Sequence, residues 1–133
     1  MIEIYCLHYL LPGNSLLNDP LFSDYFAGIK ESSYILPSNH MCLHISDSIH
    51  YKVLMGEVSF ELYNRYVGLT GQREHNENTF KHLINNFDFE LLEPIETYNL
   101  KIGTLYKKVI SDGCHRLSIL MNKKCKNIDR YIT

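Results

Sequence analysis

The chain has 133 residues, which is enough for one hydrophobic core and too few for two ordinary domains. Hydrophobic residues make up 45% of the sequence and charged residues 21%, as in folded globular proteins, so a disordered chain is not expected. The formal net charge is -2 and lysines cluster only at Lys123, Lys124 and Lys126, so nucleic acid is not expected as a partner.

The N-terminus and the cysteines bear on where the protein works. The first residues, Met-Ile-Glu-Ile-Tyr-Cys, lack the basic segment of a signal peptide, and no apolar stretch is long enough to span a membrane. The four cysteines are far apart and form no Cys-x-x-Cys pair, which argues against a zinc site built on them and against a disulfide framework. We therefore expect free thiols, a cytoplasmic location and no membrane partner.

The N-terminal half of the chain shows two strand patterns and one helix pattern. Residues 2–11 alternate loosely between apolar and polar side chains, and residues 41–46 form a second such run. Residues 14–36, which lie between them, show little periodicity. In residues 57–67 apolar side chains recur every three or four positions, which predicts a helix that ends at Gly68.

The clearest helical period lies in the C-terminal half. Asn76 is a residue type favoured as an N-cap, and apolar side chains follow at helical spacing up to Phe87. Beyond this helix we predict a strand at 95–98, a loop at 99–103 and a second strand at 104–110, before a short final helix at 117–121.

The order of these elements predicts the fold class. Strands and helices are mixed along the chain, and no linker divides them. We expect residues 1–133 to form a single α/β (α+β) domain with a mixed sheet.

A five-residue motif, Asp112-Gly113-Cys114-His115-Arg116, lies between the last predicted strand and the last predicted helix. A strand that turns at Asp-Gly and opens into a helix leaves free backbone N–H groups and a positive dipole end at one point, which favours an anion. Arg116 adds a forked donor suited to phosphate. Cys114 and His115 add reactive side chains at the same place.

The motif and three segments before it resemble the ParB/sulfiredoxin superfamily. The matching segments are Gln72-Arg73, the helix that begins at Glu77, and the strand opening Glu93-Pro94-Ile95-Glu96, in the family's order and spacing. The resemblance covers residues 72–121. Residues 1–70 show no such likeness and are treated as an N-terminal extension.

Three branches of the superfamily are relevant. Sulfiredoxins carry Gly-Gly-Cys-His-Arg with a catalytic cysteine, which Cys114 would match, but their upstream Arg-Pro-Leu-Pro type box is absent here. Partition proteins carry Gly-x-Arg-Arg, bind a nucleoside triphosphate and continue into a helix-turn-helix, so a complete partition protein is not expected here. The form Asp-Gly-x-His-Arg is most similar to this chain, and some superfamily members phosphorylate a small hydroxyl compound such as serine.

The resemblance implies a ligand and roles for named residues. The ligand would be ATP or another nucleoside triphosphate with Mg²⁺, its phosphates held by Arg116, by the amides of Gly113, Cys114 and His115, and by Arg73. Asp112 would hold the metal or act as a base, and Glu96 is a second candidate base; Cys114 and His115 are further catalytic candidates.

Each of these assignments has a structural alternative. Asp112 can serve as a turn or capping residue, Cys114 as a small residue that fills the turn, and His115 as a buried structural histidine. Arg116 can pair with a surface carboxylate, and Glu96 can be a solvent-facing residue. The histidines and cysteine at 40, 42 and 44 share one face of a predicted strand, which is a weak metal-site pattern.

These observations lead to one main functional hypothesis and several alternatives. The main hypothesis is a nucleotide-binding, Mg²⁺-dependent phosphotransferase that acts on a small acceptor such as an amino acid or a sugar. The alternatives are a non-catalytic nucleotide- or partner-binding module, and a sulfiredoxin-like reductase that uses Cys114. A DNA-binding protein or nuclease is disfavoured by the acidic balance of charge.

Overall fold

A mixed sheet of five strands, in the order β2-β3-β1-β5-β4, organises the protein. The structure is a computed structural model that describes residues 3–133. The strands are β1 (Tyr5–Tyr9), β2 (Tyr34–Leu36), β3 (His40–His44), β4 (Glu96–Ile102) and β5 (Leu105–Asp112). The central pair, β1 and β5, is parallel, whereas β1–β3, β2–β3 and β4–β5 are antiparallel.

Within residues 3–133, five α-helices accompany the sheet. They are α1 (Ser23–Ile29), α2 (Ile49–Leu54), α3 (Phe60–Leu69), α4 (Glu77–Asn85) and α5 (Cys114–Asn122). The predicted α+β class with a mixed sheet is confirmed. None of the helices within residues 3–133 combines the length and the apolar character that a membrane span requires.

The hydrophobic core lies between one face of the sheet and the helices. On β1, the buried Cys6 and His8 alternate with the partly exposed Tyr5, Leu7 and Tyr9, as expected when one face of a strand is covered. Large aromatic side chains fill the helical side of the core, and the largest are Phe22, Tyr63, Tyr66 and Phe80. Burial of these rings, together with the aliphatic side chains of the core, stabilises the fold.

Several sequence predictions are confirmed and others need correction. Asn76 caps α4 as predicted, because its side chain accepts a hydrogen bond from the Thr79 N–H. Ile2, at the start of the first predicted strand, lies outside the described residues. The predicted loop at 99–103 is wrong, because β4 continues to Ile102 and the chain turns at Gly103.

Long-range pairing explains what the local patterns missed. Residues 99–102 of β4 are rich in polar side chains, and their strand geometry comes from the regular pairing with β5, which ends with Ile102 opposite Leu105. In the same way, residues 14–36 contain α1 and β2, although β2 has only three residues and pairs with β3 alone. Such short elements carry too little periodicity to be recognised in the sequence.

The parallel arrangement of β1 and β5 positions the motif. The carboxyl ends of both strands lie at the same edge of the sheet, and α5 begins directly after β5. In open α/β sheets, ligands bind in the crevice outside the carboxyl ends of parallel strands, and the corresponding edge of this mixed sheet carries the motif.

Candidate functional site

A cleft of about 760 Å³ lies where β1 and β5 end. Thr79, Phe80 and Leu83 of α4 form part of its wall, and Tyr9 and Tyr98 contribute aromatic rings from the sheet. The whole motif lines this cleft: Asp112, Gly113, Cys114, His115 and Arg116.

The N-terminus of α5 faces this cleft without a side-chain cap. Its N-cap residue is Gly113, and within residues 3–133 no side chain accepts a hydrogen bond at this helix start. The first-turn amides of Cys114, His115 and Arg116 have no acceptor inside the helix. Together with the helix dipole, they make this point attractive to an anion, as the motif predicts.

Gly113 is required here by its conformation and by its surroundings. Its φ of 116° lies in the left-handed region that side chains disfavour. A Cβ at this position would lie 3.1 Å from Cγ1 and Cγ2 of the buried Ile95, and 3.2 Å from Nη2 of Arg116. The glycine therefore allows α5 to begin close against Ile95 and the arginine.

Arg116 contacts four oxygen atoms, of which the most distant is Oε2 of Glu93, 3.9 Å from Nη1. Its Nη1 donates to the carbonyl oxygens of Glu93, at 2.8 Å, and of Pro94, at 3.2 Å. Its Nη2 lies 3.1 Å from Oδ2 of Asp112. The arginine side chain is only 15% exposed, so its guanidinium is part of the wall of the cleft and its charge is already shared with Asp112.

His115 is surrounded by aromatic rings. Its ring centroid lies 4.3 Å from that of His50, 4.8 Å from that of His75 and 4.8 Å from that of Phe80. Its Nε2 lies 2.8 Å from the hydroxyl of Tyr63, which donates to the carbonyl oxygen of His75. Burial and the nearby His75 lower the pKa of His115 to about 3, so the imidazole is neutral near neutral pH.

Two further histidines extend this group into the core. Burial lowers the pKa of His8 to about 4. Burial, followed by the neighbouring histidines, holds the pKa of His50 well below its ordinary value. His50 lines the cleft and is only 5% exposed, and within the described chain its Nδ1 has no hydrogen-bond partner. A buried polar atom left unpaired in this way costs free energy, which a hydrogen-bond partner would recover.

Cys114 lies next to a second cysteine. Hydrogen bonding with Cys114, followed by burial, raises the pKa of the Cys6 thiol well above its ordinary value. Cys6 is completely buried on β1, whereas Cys114 is partly exposed in the cleft. No disulfide is formed, so both remain free thiols as the sequence predicts.

Two predicted site residues lie elsewhere. Arg73 lines a separate depression of about 320 Å³ with Asn64 and Glu77, whereas its neighbour Gln72 lines the main cleft. Glu96 is exposed at the start of β4 and is not among the lining residues of the cleft. Asp112 is the acidic residue that the structure places there.

Other functional candidates were not recognisable from the sequence. Three residues around His115 come from separate elements: His50 from α2, Tyr63 from α3 and His75 from the turn before α4. No local sequence motif links them to His115. Among residues 3–133, no group of three or more histidine, cysteine or acidic side chains is arranged to hold a metal ion. The three positions 40, 42 and 44 on β3 therefore form no such group.

No family model, curated protein or solved structure matches this chain. The likeness to the ParB/sulfiredoxin superfamily thus rests on the motifs themselves, and function must be argued from the cleft.

Proposed function

We propose that the cleft binds a nucleotide of the ATP type, and that the protein transfers a phosphoryl group to a small hydroxyl compound. One observation carries the binding part of this proposal. The uncapped N-terminus of α5, a nine-residue helix, opens into the same cleft as His50, whose buried Nδ1 lacks a partner in the described chain. The helix supplies donors for phosphate, and the histidine supplies a polar group that needs a ligand atom.

The size and the lining of the cleft suit a nucleotide. A volume of about 760 Å³ lies within the usual range for small-molecule sites. Tyr9 and His40 line it with their ring centroids 5.1 Å apart, and Tyr98 adds a third ring. Aromatic rings of this kind stack with nucleobases. A ligand with a phosphate group and a flat base would therefore use both kinds of surface.

Asp112 is the residue that would contact Mg²⁺. Its side chain is 69% exposed and its Oδ2 pairs with Arg116, which leaves the other carboxylate oxygen for a metal. Nucleotide-bound Mg²⁺ commonly uses one or two carboxylates, the phosphates and water, so a single carboxylate fits this pattern. Magnesium would neutralise phosphate charge, while the chain itself would position the ligand through α5 and Arg116.

Binding without turnover is the second candidate, and the state of the histidines favours it. His115 and His50 have lowered pKa values and are therefore weak bases. Asp112 is the only acidic residue among the described lining residues, and it is already paired with Arg116. A reductase that uses Cys114 is a third candidate, favoured by the position of this partly exposed free thiol in the cleft at the start of α5.

The first experiment is a thermal-shift screen with ATP, CTP, GTP and ADP, each with and without Mg²⁺. A ligand at about one hundred times its Kd stabilises the folded state by roughly 2.7 kcal/mol, which raises Tm by several degrees. Arg73→Ala is the control for the location of the site. Because Arg73 lies outside the cleft, this variant should show the same ligand-induced rise in Tm as the unmodified protein. The absence of a shift with every nucleotide would overturn the proposal.

Two further measurements separate the candidates. In an NMR titration with ATP, the amide signals of Cys114, His115 and Arg116 should move, whereas those of α1, which contributes no residue to the lining of the cleft, should not. ADP formation with a hydroxyl acceptor would indicate phosphoryl transfer, and binding without ADP formation would indicate a module. If ADP formation is lost in Cys114→Ser but kept in Cys42→Ser, the reaction uses the Cys114 thiol, as the reductase candidate requires.

A further inference from the structure

The hydrogen bonds of Tyr63 determine which nitrogen of His115 carries the proton. The Tyr63 hydroxyl has one proton and donates it to the carbonyl oxygen of His75, which can only accept. The 2.8 Å contact between Tyr63 and His115 therefore requires Nε2–H of His115 to donate to the tyrosine oxygen. A neutral imidazole carries one ring proton, so Nδ1 of His115 is left as an acceptor.

This acceptor is available to a ligand. His115 lines the cleft. Within residues 3–133 its Nδ1 makes no hydrogen bond, and unlike Nδ1 of His50 it is not fully buried. It belongs to the same helical turn as the amides that attract an anion. One turn of α5 thus offers donors from its backbone and an acceptor from a side chain.

We propose that Nδ1 of His115 accepts a hydrogen bond from the ligand, with Tyr63 as the positioning residue that fixes its tautomer. The ligand that fits is a phosphate ester that also carries a hydroxyl or amino donor near the phosphate, as the ribose of a nucleotide does with its hydroxyls. This inference rests on the proposed phosphate site at α5. A ligand without such a donor would leave Nδ1 without a hydrogen-bond partner once water is displaced, which costs free energy.

His8 provides an internal reference for the tautomer. Its Nε2 accepts a hydrogen bond from the Ile49 N–H at 3.1 Å, so its proton lies on Nδ1, which is 3.3 Å from the carbonyl oxygen of Leu7. His8 and His115 therefore carry their protons on opposite nitrogens. Long-range ¹H–¹⁵N NMR spectra distinguish the two forms in a single sample.

The test combines this spectrum with a pair of ligands. Glycerol 3-phosphate has hydroxyl donors beside its phosphate, and propyl phosphate has none. We expect the unmodified protein to bind glycerol 3-phosphate roughly tenfold more tightly, as one well-placed hydrogen bond allows. In Tyr63→Phe, which frees the proton to occupy either nitrogen of His115, the preference should fall to roughly threefold or less, while propyl phosphate binding is retained.

The outcomes distinguish this inference from the proposed function. A proton on Nδ1 of His115, or equal binding of the two esters, would overturn the inference while leaving the phosphate site in place. Binding of neither ester and of no nucleotide would overturn both. If Tyr63→Phe does not fold, His115→Asn and His115→Leu replace it. The asparagine keeps an acceptor near the position of Nδ1 and should retain the preference, and the leucine should lose it.

Discussion

Nη1 of Arg116 donates a hydrogen bond to the carbonyl oxygen of Glu93, 23 residues earlier in the chain, at 2.8 Å. This bond joins the first turn of α5 to the segment that leads into β4. Arg116, which the motif predicts to bind phosphate, therefore also stabilises the contact between these two segments. Any test of its function must be separated from its effect on folding.

Arg116→Ala should lower the free energy of unfolding by about 2 kcal/mol, because hydrogen bonds from a charged donor are worth roughly 1.5–3 kcal/mol. Asp112→Ala should cost less than about 1 kcal/mol, since the carboxylate is exposed and surface ion pairs contribute little. Urea unfolding curves measure both values. Equal losses would show that the ion pair, and not the backbone contacts, holds the arginine.

Gly113→Ala should destabilise the protein by about 1–3 kcal/mol, as expected for a side chain forced into the left-handed region. The new methyl group would also press on the buried Ile95. Gly28→Ala is the control, because Gly28 lies in α1, has no positive φ and has open space around its Cβ position. That substitution should raise stability by about 0.5–1 kcal/mol. Thermal melts of the two variants should therefore shift in opposite directions.

Stability should fall as the pH is lowered from about 6.5 to about 4. The pKa of His8 is lowered to about 4 in the folded state, so the unfolded chain binds its proton first and is favoured as the pH falls. For His8 alone, the loss at about pH 5 relative to about pH 7.5 amounts to roughly 2 kcal/mol. The pKa values of His50 and His115 are lowered too, so both residues increase this loss of stability at low pH.

Urea unfolding at several pH values measures this dependence, with His8→Gln as the comparison. In the unmodified protein the Ile49 N–H donates to Nε2 of His8. The amide oxygen of glutamine can accept the same hydrogen bond, but the amide does not titrate. Its stability should vary less with pH than that of the unmodified protein. Identical pH profiles would show that His8 is not held in its neutral form.

Asn76→Ala should cost about 1 kcal/mol, because the Asn76 side chain accepts the N–H of Thr79 at the start of α4. Asn78→Ala is the matched control, since Asn78 is an exposed residue inside the same helix. Alanine has the higher helix propensity, so this variant should be unchanged or slightly stabilised. Circular dichroism melts of both variants measure the contrast, and a loss of equal size would argue against the cap.

Local patterns predicted the parts of the structure that depend on neighbouring residues. The cap at Asn76 and the helix that starts after Asp112-Gly113 follow from backbone preferences within a few positions, and both are present. The continuation of β4 through Lys101 was missed because its polar side chains suggest a loop until the pairing with β5 is known. The α1 helix was missed because the periodicity in residues 14–36 is weak.

The candidate site likewise has one part that follows from neighbouring residues and another that depends on tertiary packing. By itself the sequence determined that a helix starts after Gly113, because a turn and a helix terminus are set by short-range geometry, and it predicted an anion site there. Only the tertiary structure decided that His50 and Tyr63 lie around His115, since they come from distant parts of the chain and meet through core packing. Tertiary packing also holds His115 neutral, because its pKa is lowered by burial and by His75, which is distant in the sequence.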